Sequence, residues 1–242
     1  MDFIEAVKEA NKTIFSLLQS EGLSAYHHQS FAVGAGGDIS SGIDLVAEKI
    51  FIDYLQPFGT IISEESGTLL NTQNSVEIIL DPIDGSDNLL SHLPYYGTSV
   101  ALREKGKCTK AVVTNLANGD IFIKENEGLQ KGHLLSSSLS FVTPNLFSKV
   151  GIFERSYTSK MVAKKLKSAG IKYRSPGAFA LSLAYAHDVS FVLYEGKMRI
   201  YDIEAGMLMC EDLYMYREDE LFLVSKDKET FDKIIRLFTH KA

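Results

Sequence analysis

Tryptophan is absent from this 242-residue chain, and cysteine, proline and histidine are scarce, at two, five and six residues. Cys108 and Cys210 both lie in apolar surroundings. Two such residues make no disulfide framework and read as buried free thiols of a reducing compartment. No His/Cys cluster has the spacing of a zinc site, and His27-His28 stands alone and reads as surface. No apolar run reaches the ~20 residues a membrane-crossing helix needs. The start, Met1-Asp2-Phe3-Ile4-Glu5, lacks the basic region of a secretory leader. A cytoplasmic protein with no membrane partner is the expectation. Lysine and arginine form no stripe and the formal net charge is −6, which argues against nucleic acid as a partner. Neither a P-loop nor a nucleophilic serine with a paired histidine and aspartate is present.

What remains is ordinary globular material, 45% hydrophobic and 23% charged, in a chain long enough for one large domain or two small ones. Residues 2–20 place Phe3, Val7, Ala10, Ile14, Leu17 and Leu18 on one face of an amphipathic helix, with Gly22 as its stop. Glycines and serines across 31–42 predict a mobile loop. A second helix over roughly 43–56 ends before Pro57. Strand-like runs follow at 60–63, 76–80, 97–103, 109–115 and 120–124, with turns that suggest antiparallel hairpins. Helices are expected at 157–169, 178–186, 202–214 and 227–239, with strands near 171–174, 189–194 and 221–225. The change of pattern divides the chain into an α+β half, 1–135, and an α/β half, 136–242.

The densest signal is Asp81-Pro82-Ile83-Asp84-Gly85-Ser86-Asp87-Asn88, directly after the apolar run Val76-Glu77-Ile78-Ile79-Leu80. Two carboxylates three residues apart at the end of a buried strand repel by about 4 kcal/mol at ~4 Å and an effective dielectric near 20. Either one acid keeps a proton or a hard divalent cation sits between them. Pro82 keeps the chain extended, Gly85 permits a positive φ, and Ser86, Asp87 and Asn88 are good helix caps. A helix beginning here would offer free N–H groups to a phosphate beside carboxylates suited to a metal. The plainer alternative is a surface Asp-Pro turn with an acidic cap.

Four other segments could join that site. Ser63-Glu64-Glu65-Ser66-Gly67 follows a strand, although solvated Glu-Glu turns are common. Asp38 and Asp44 flank a Ser-Ser-Gly segment before a helix, where aspartate is often only a cap. Ser175-Pro176-Gly177-Ala178-Phe179 is a tight entry into an apolar helix. Asp202 opens another helix, seven residues after Glu195. Acids at several strand ends and helix starts can converge on hard cations with oxygen ligands.

Together these segments resemble the inositol monophosphatase family of magnesium-dependent, lithium-sensitive phosphatases. Asp81 to Ser86 match its Asp-Pro-[Ile/Leu]-Asp-Gly-[Thr/Ser] signature, Glu64-Glu65-Ser66 its Glu-Glu-Ser, and Asp38 with Asp44 its Asp-x5-Asp. Tyr201 to Gly206 match the late Trp-Asp-x-Ala-[Ala/Gly]-Gly signature, with Tyr for Trp and Glu204 for a small residue. The resemblance implies a layered αβαβα sandwich and a homodimer. It implies Mg2+ held by Glu65, Asp81, the Ile83 carbonyl, Asp84 and Asp202, with Asp81 bridging two ions. Asp44, Glu65 and Ser86 would be catalytic, Ser86 and Asp44 helping to orient and deprotonate a metal-bound water that attacks directly. Asp84 and the Gly85 and Ser86 amides would hold the phosphate, and Gly177, Ala178 and Glu195 would meet the rest of the substrate. Inositol monophosphate or related sugar phosphates are the implied substrates, with fructose-1,6-bisphosphate or 3′-phosphoadenosine-5′-phosphate as alternatives. Arg199, with Lys197, would bind a second phosphate or merely balance neighbouring acids. The chain is shorter than usual after Gly206, which puts the far edge of the C-terminal sheet in question. A non-catalytic regulatory binding protein on the same fold is the rival class.

Overall fold

A computed structural model describes residues 1–20, 30–37, 39–73, 75–218 and 220–239. Helix α1 (Phe3–Gln19) starts where the Asp2 side chain accepts the Glu5 N–H at 2.9 Å. Its expected apolar face is buried at Phe3, Val7, Ala10 and Ile14. Strands β1 (Ser30–Val33) and β2 (Ile39–Ser41) pair antiparallel where the glycine-rich composition predicts a loop. Asp38 and His27-His28 lie outside the described residues. Helix α2 (Gly42–Leu55) opens with a capping box in which Ser41 and Asp44 satisfy each other's backbone N–H.

The next elements are β3 (Thr60–Ser63), β4 (Gly67–Leu69), β5 (Glu77–Asp84), α3 (Ser86–Leu90), β6 (Gly97–Glu104), β7 (Lys107–Asn115), β8 (Asp120–Lys124), β9 (Leu129–His133) and β10 (Leu139–Phe141). Eight of these strands form one sheet in the order β10-β9-β8-β7-β6-β5-β3-β4. Neighbours are antiparallel as expected, except that β3 runs parallel to β5. Alternation sends Ile78, Leu80, Val100, Leu102, Val112, Ile121 and Ile123 to one face, against α1 and α2. Ile79, Ala101, Ala111, Val113 and Phe122 go to the other.

The remainder comprises β11 (Gly151–Glu154), α4 (Lys160–Ser168), β12 (Tyr173–Arg174), α5 (Phe179–Ala184), β13 (Val192–Glu195), α6 (Ile200–Met209), β14 (Tyr214–Glu218), β15 (Leu221–Ser225) and α7 (Lys228–Thr239). Its five strands form a mixed sheet in the order β12-β11-β13-β15-β14. The helix expected over 202–214 stops at Met209, and the short stretch after it leads directly into β14, which supplies the sheet's far edge. Helices α5 and α6 lie between the sheets. Ala178, Leu181, Ala184, Ala205 and Met209 pack on the large sheet, while Phe179, Leu183 and Ile203 pack on Ile152, Val192, Phe222 and Val224 of the small one. Val162 and Leu166 of α4 and Ile234 of α7 cover the outer face with Phe153, Leu193 and Leu223. The five layers are therefore helix, sheet, helix, sheet, helix. Each buried Leu, Ile or Phe contributes about 1.5–3 kcal/mol to that stack.

Candidate metal centre and active site

Strand register assembles the acids. Parallel pairing sets Ile62 beside Ile79 and Ser63 beside Leu80, and the Glu64 N–H continues the ladder to the Leu80 carbonyl at 3.1 Å. One step further along the same face come Glu64 and Asp81. In the turn that follows β3, Glu64 is the acid whose carboxylate joins Asp81, while the backbone carbonyl of the expected Glu65 accepts from Ala35 at 2.9 Å.

Asp81 and Asp84 are three residues apart, which in a regular strand would set them on opposite faces. Asp81 pairs with Ser99 and Asp84 with Gly97, so a bulge inserts one residue between them and returns both to the same face. Pro82, with no N–H to give to a ladder, falls inside that bulge. Asp202 comes from the first turn of α6, which the small residues of the middle layer let lie against the large sheet.

Carboxylate oxygens of Glu64, Asp81 and Asp202, all buried, come within 4.8 Å of one another. Burial, then Glu64, Asp84 and Asp202, push the Asp81 carboxyl well above its ordinary value, and Arg199 opposes them. Asp84 is also pushed well up, by burial first, although the Leu181 N–H donates to its Oδ2 at 2.7 Å. A donor set of buried carboxylates is the chemistry of a hard divalent cation. The residues fit the metal that the sequence implies.

Arg199 answers part of the charge. Its guanidinium lies 2.5 Å from Glu64 Oε1, and its Nε and Nη2 donate to the two Asp202 oxygens at 2.9 and 3.0 Å. Of the two roles open to Arg199, charge balance is the one visible here. Glu204 is turned aside to Arg103 at 3.0 Å.

Next to the acids, the Ser86 hydroxyl lies 2.9 Å from Asp44 Oδ1 and 3.1 Å from the Ile83 carbonyl, either of which can accept its proton. Asp44 Oδ2 holds the Ser41 N–H at 2.8 Å. Burial raises the Asp44 carboxyl, and the bonds from Ser41 and Ser86 work against it. Gly85 caps α3 with φ 89°, and a Cβ there would come within 3.0 Å of Ala178 Cβ and 3.3 Å of the Gly177 carbonyl. The 85–86 and 177–178 backbones therefore pack directly together. Glu195 ends β13, half-buried, and is not one of the three converging carboxylates. Glu154, the last residue of β11, is one acid that sequence reasoning missed. It is almost fully buried and accepts the Gly177 N–H at 2.8 Å.

A five-layer sandwich with buried carboxylates gathered where the large sheet meets its middle helices is an arrangement able to hold a hard cation. The chain belongs to the inositol monophosphatase family, whose family model matches residues 3–213. The Nus factor SuhB of Escherichia coli strain K12 is 30% identical over 187 residues, covering 72% of this chain and 69% of that one. The fructose-1,6-bisphosphatase/inositol-1-monophosphatase of Methanothermobacter thermautotrophicus is 30% identical over 205 residues, 74% and 71% of the two chains. The solved Thermotoga maritima IMPase aligns over 98% of this chain and 96% of that one with a TM-score of 0.76. At 21% identity that likeness concerns the fold.

Proposed function

We propose that this chain is a magnesium-dependent phosphate monoester hydrolase acting on inositol monophosphate or a related sugar phosphate. The observation that carries the reading is the convergence of Glu64, Asp81 and Asp202, with Asp84 and the Ser86–Asp44 pair alongside. Divalent cations held by these acids would neutralise the phosphate oxygens and lower the pKa of an attacking water. The chain's own residues supply the rest. Asp44, fixed through Oδ2 to the Ser41 backbone, keeps Oδ1 for the Ser86 hydroxyl. Ser86 can therefore pass a proton to Asp44 while accepting one from water at its own oxygen. Gly85 lets the backbone turn sharply beside the acids, so the Gly85 and Ser86 amides can meet the transferred group. The same reading carries homodimerisation, lithium sensitivity and a cytoplasmic location as expectations.

The name of the Methanothermobacter thermautotrophicus relative supports the sugar-phosphate class. The name Nus factor, carried by the Escherichia coli relative, favours a second reading, a binding protein that keeps the fold for a regulatory partner. Phosphate release from inositol-1-phosphate, fructose-1,6-bisphosphate and 3′-phosphoadenosine-5′-phosphate separates the two. Magnesium should support release, EDTA should abolish it, and Asp84→Asn should lower it at least about a hundredfold. A rate unchanged by EDTA and by Asp84→Asn would belong to a contaminant and leave the binding reading.

A further inference from the structure

Glu154 sits at the end of β11 and is almost fully buried, yet it ligates nothing in the acidic cluster. Its two oxygens take two different donors. Oε2 accepts the Gly177 N–H at 2.8 Å, and Oε1 accepts the Ser182 hydroxyl at 2.5 Å. Ser182 Oγ lies 3.0 Å from the Tyr95 hydroxyl. The Tyr95 carbonyl accepts from Asn88 Nδ2 at 2.7 Å, and the same amide donates to the Pro176 carbonyl at 2.7 Å. Pro176 leads back to Gly177, so the bonds close a ring. With Glu154 ionised and accepting at both oxygens, Ser182 donates to Glu154 and Tyr95 to Ser182.

The ring encloses one stretch of backbone. Gly177 adopts φ 91°, and the 176–182 segment that it starts also delivers the Leu181 N–H to Asp84. Across the ring, Asn88 and Tyr95 flank the turn that follows Asp84 and Gly85. The segment is thus tied on one side to β11 of the small sheet and on the other to the loop leaving β5 of the large sheet. The ring's Glu154–Ser182 bond is buried, where no water competes for the carboxylate. The bonds at Tyr95, Asn88 and Gly177 are part-buried, with Gly177 at the exposed edge of the ring.

We propose that Glu154 is a positioning residue which, by reach and not by charge, holds the 176–178 backbone at a fixed separation from Gly85 and Asp84. This deepens and rests on the phosphatase reading, in which Gly177 and Ala178 face the substrate. Two conservative variants separate reach from charge. Glu154→Gln keeps the length: its oxygen can accept from Gly177, its NH2 can donate to Ser182, and Ser182 can then donate to Tyr95, closing the ring with reversed polarity. Glu154→Asp keeps the charge and is one methylene too short to span both donors.

The experiment measures kcat, KM for the best substrate, the magnesium dissociation constant by calorimetry and exchange of the Gly177 amide in the full-length protein. For Glu154→Asp, KM should rise about tenfold or more, the loss of one charge-assisted bond, with kcat and magnesium affinity changed no more than about threefold. Gly177 exchange should quicken in the same variant. Glu154→Gln should stay close to wild type in all four readouts. Should Glu154→Asp not fold, Ser182→Ala opens the ring at another station and should raise KM in the same sense. Equal damage from Gln and Asp, or no change in KM with Asp, overturns the proposal. A wild type inactive on every substrate sinks the phosphatase reading and the substrate role together, while Gly177 exchange still decides whether Glu154 sets the segment's position.

Discussion

Asp81→Asn should stabilise the metal-free protein, the reverse of what removing a buried carboxylate usually does. At the 4.8 Å limit of the cluster and an effective dielectric near 20, each like-charge pair costs about 3.5 kcal/mol. Asp81 faces two such partners, Glu64 and Asp202, for about 7 kcal/mol before Arg199 offsets a part. Holding a proton on a carboxyl of ordinary value 3.8 at pH 7 costs only about 4 kcal/mol. That sets the ceiling on the strain Asp81 imposes, because beyond it the group protonates. If asparagine relieves half the ceiling, the gain is about 2 kcal/mol, or about 4–8 °C in Tm for a chain of this size.

The assay is thermal unfolding in EDTA and in magnesium, for both proteins. In EDTA the folded Asp81 holds its proton more tightly than the unfolded chain does. Its stabilising contribution is therefore complete below the unfolded value of 3.8 and is lost as pH rises through the higher folded value. Asparagine should remove that downward slope. In magnesium at a hundredfold excess over its Kd, wild type should gain about 2.7 kcal/mol and the variant little of it. The reasoning fails if Asp81→Asn loses the 3–5 kcal/mol of a broken buried ion pair in EDTA, or if magnesium shifts both proteins equally.

Two substitutions test the neighbouring parts. Arg199→Met should have the opposite sign in EDTA, a loss of about 3 kcal/mol from uncompensated carboxylates, with a larger magnesium-induced rise in Tm than wild type shows. Gly206→Ala places a methyl 2.5 Å from Leu183 Cβ at the α5–α6 contact. It should cost about 1–3 kcal/mol in urea unfolding despite better helix propensity.

Much of this was legible in the chain. The alternation of apolar residues located the large sheet, and Asp81 to Ser86 announced a turn with acids on one side and a helix start on the other. The Ser86–Asp44 contact formed as the family pattern implied. The sequence points to Glu65 as the acid beside Asp81, whereas Glu64 is the one that joins the cluster of three. Two identical residues stand side by side there, and which of them reaches Asp81 depends on the turn after β3 and the β3–β5 register, which no local pattern displays. Glu154 escaped for a related reason. Gly151–Glu154 is a short, fully buried strand flanked by parallel neighbours on both sides, so it lacks the alternation that marks a half-exposed strand. The pairing of β1 with β2 was hidden by glycines, whose composition suggests a loop whatever their partners.

Helices α5 and α6 belong to neither sheet and are shared by both. Cutting the chain after residue 141 would remove that shared filling and leave Ile79, Ala101, Val113 and Phe122 facing water. The same cut would take away Asp202, and with it a third of the converging acids. The segment that fills the space between the sheets is therefore also the one that completes the acid cluster, so a single cut unmakes both.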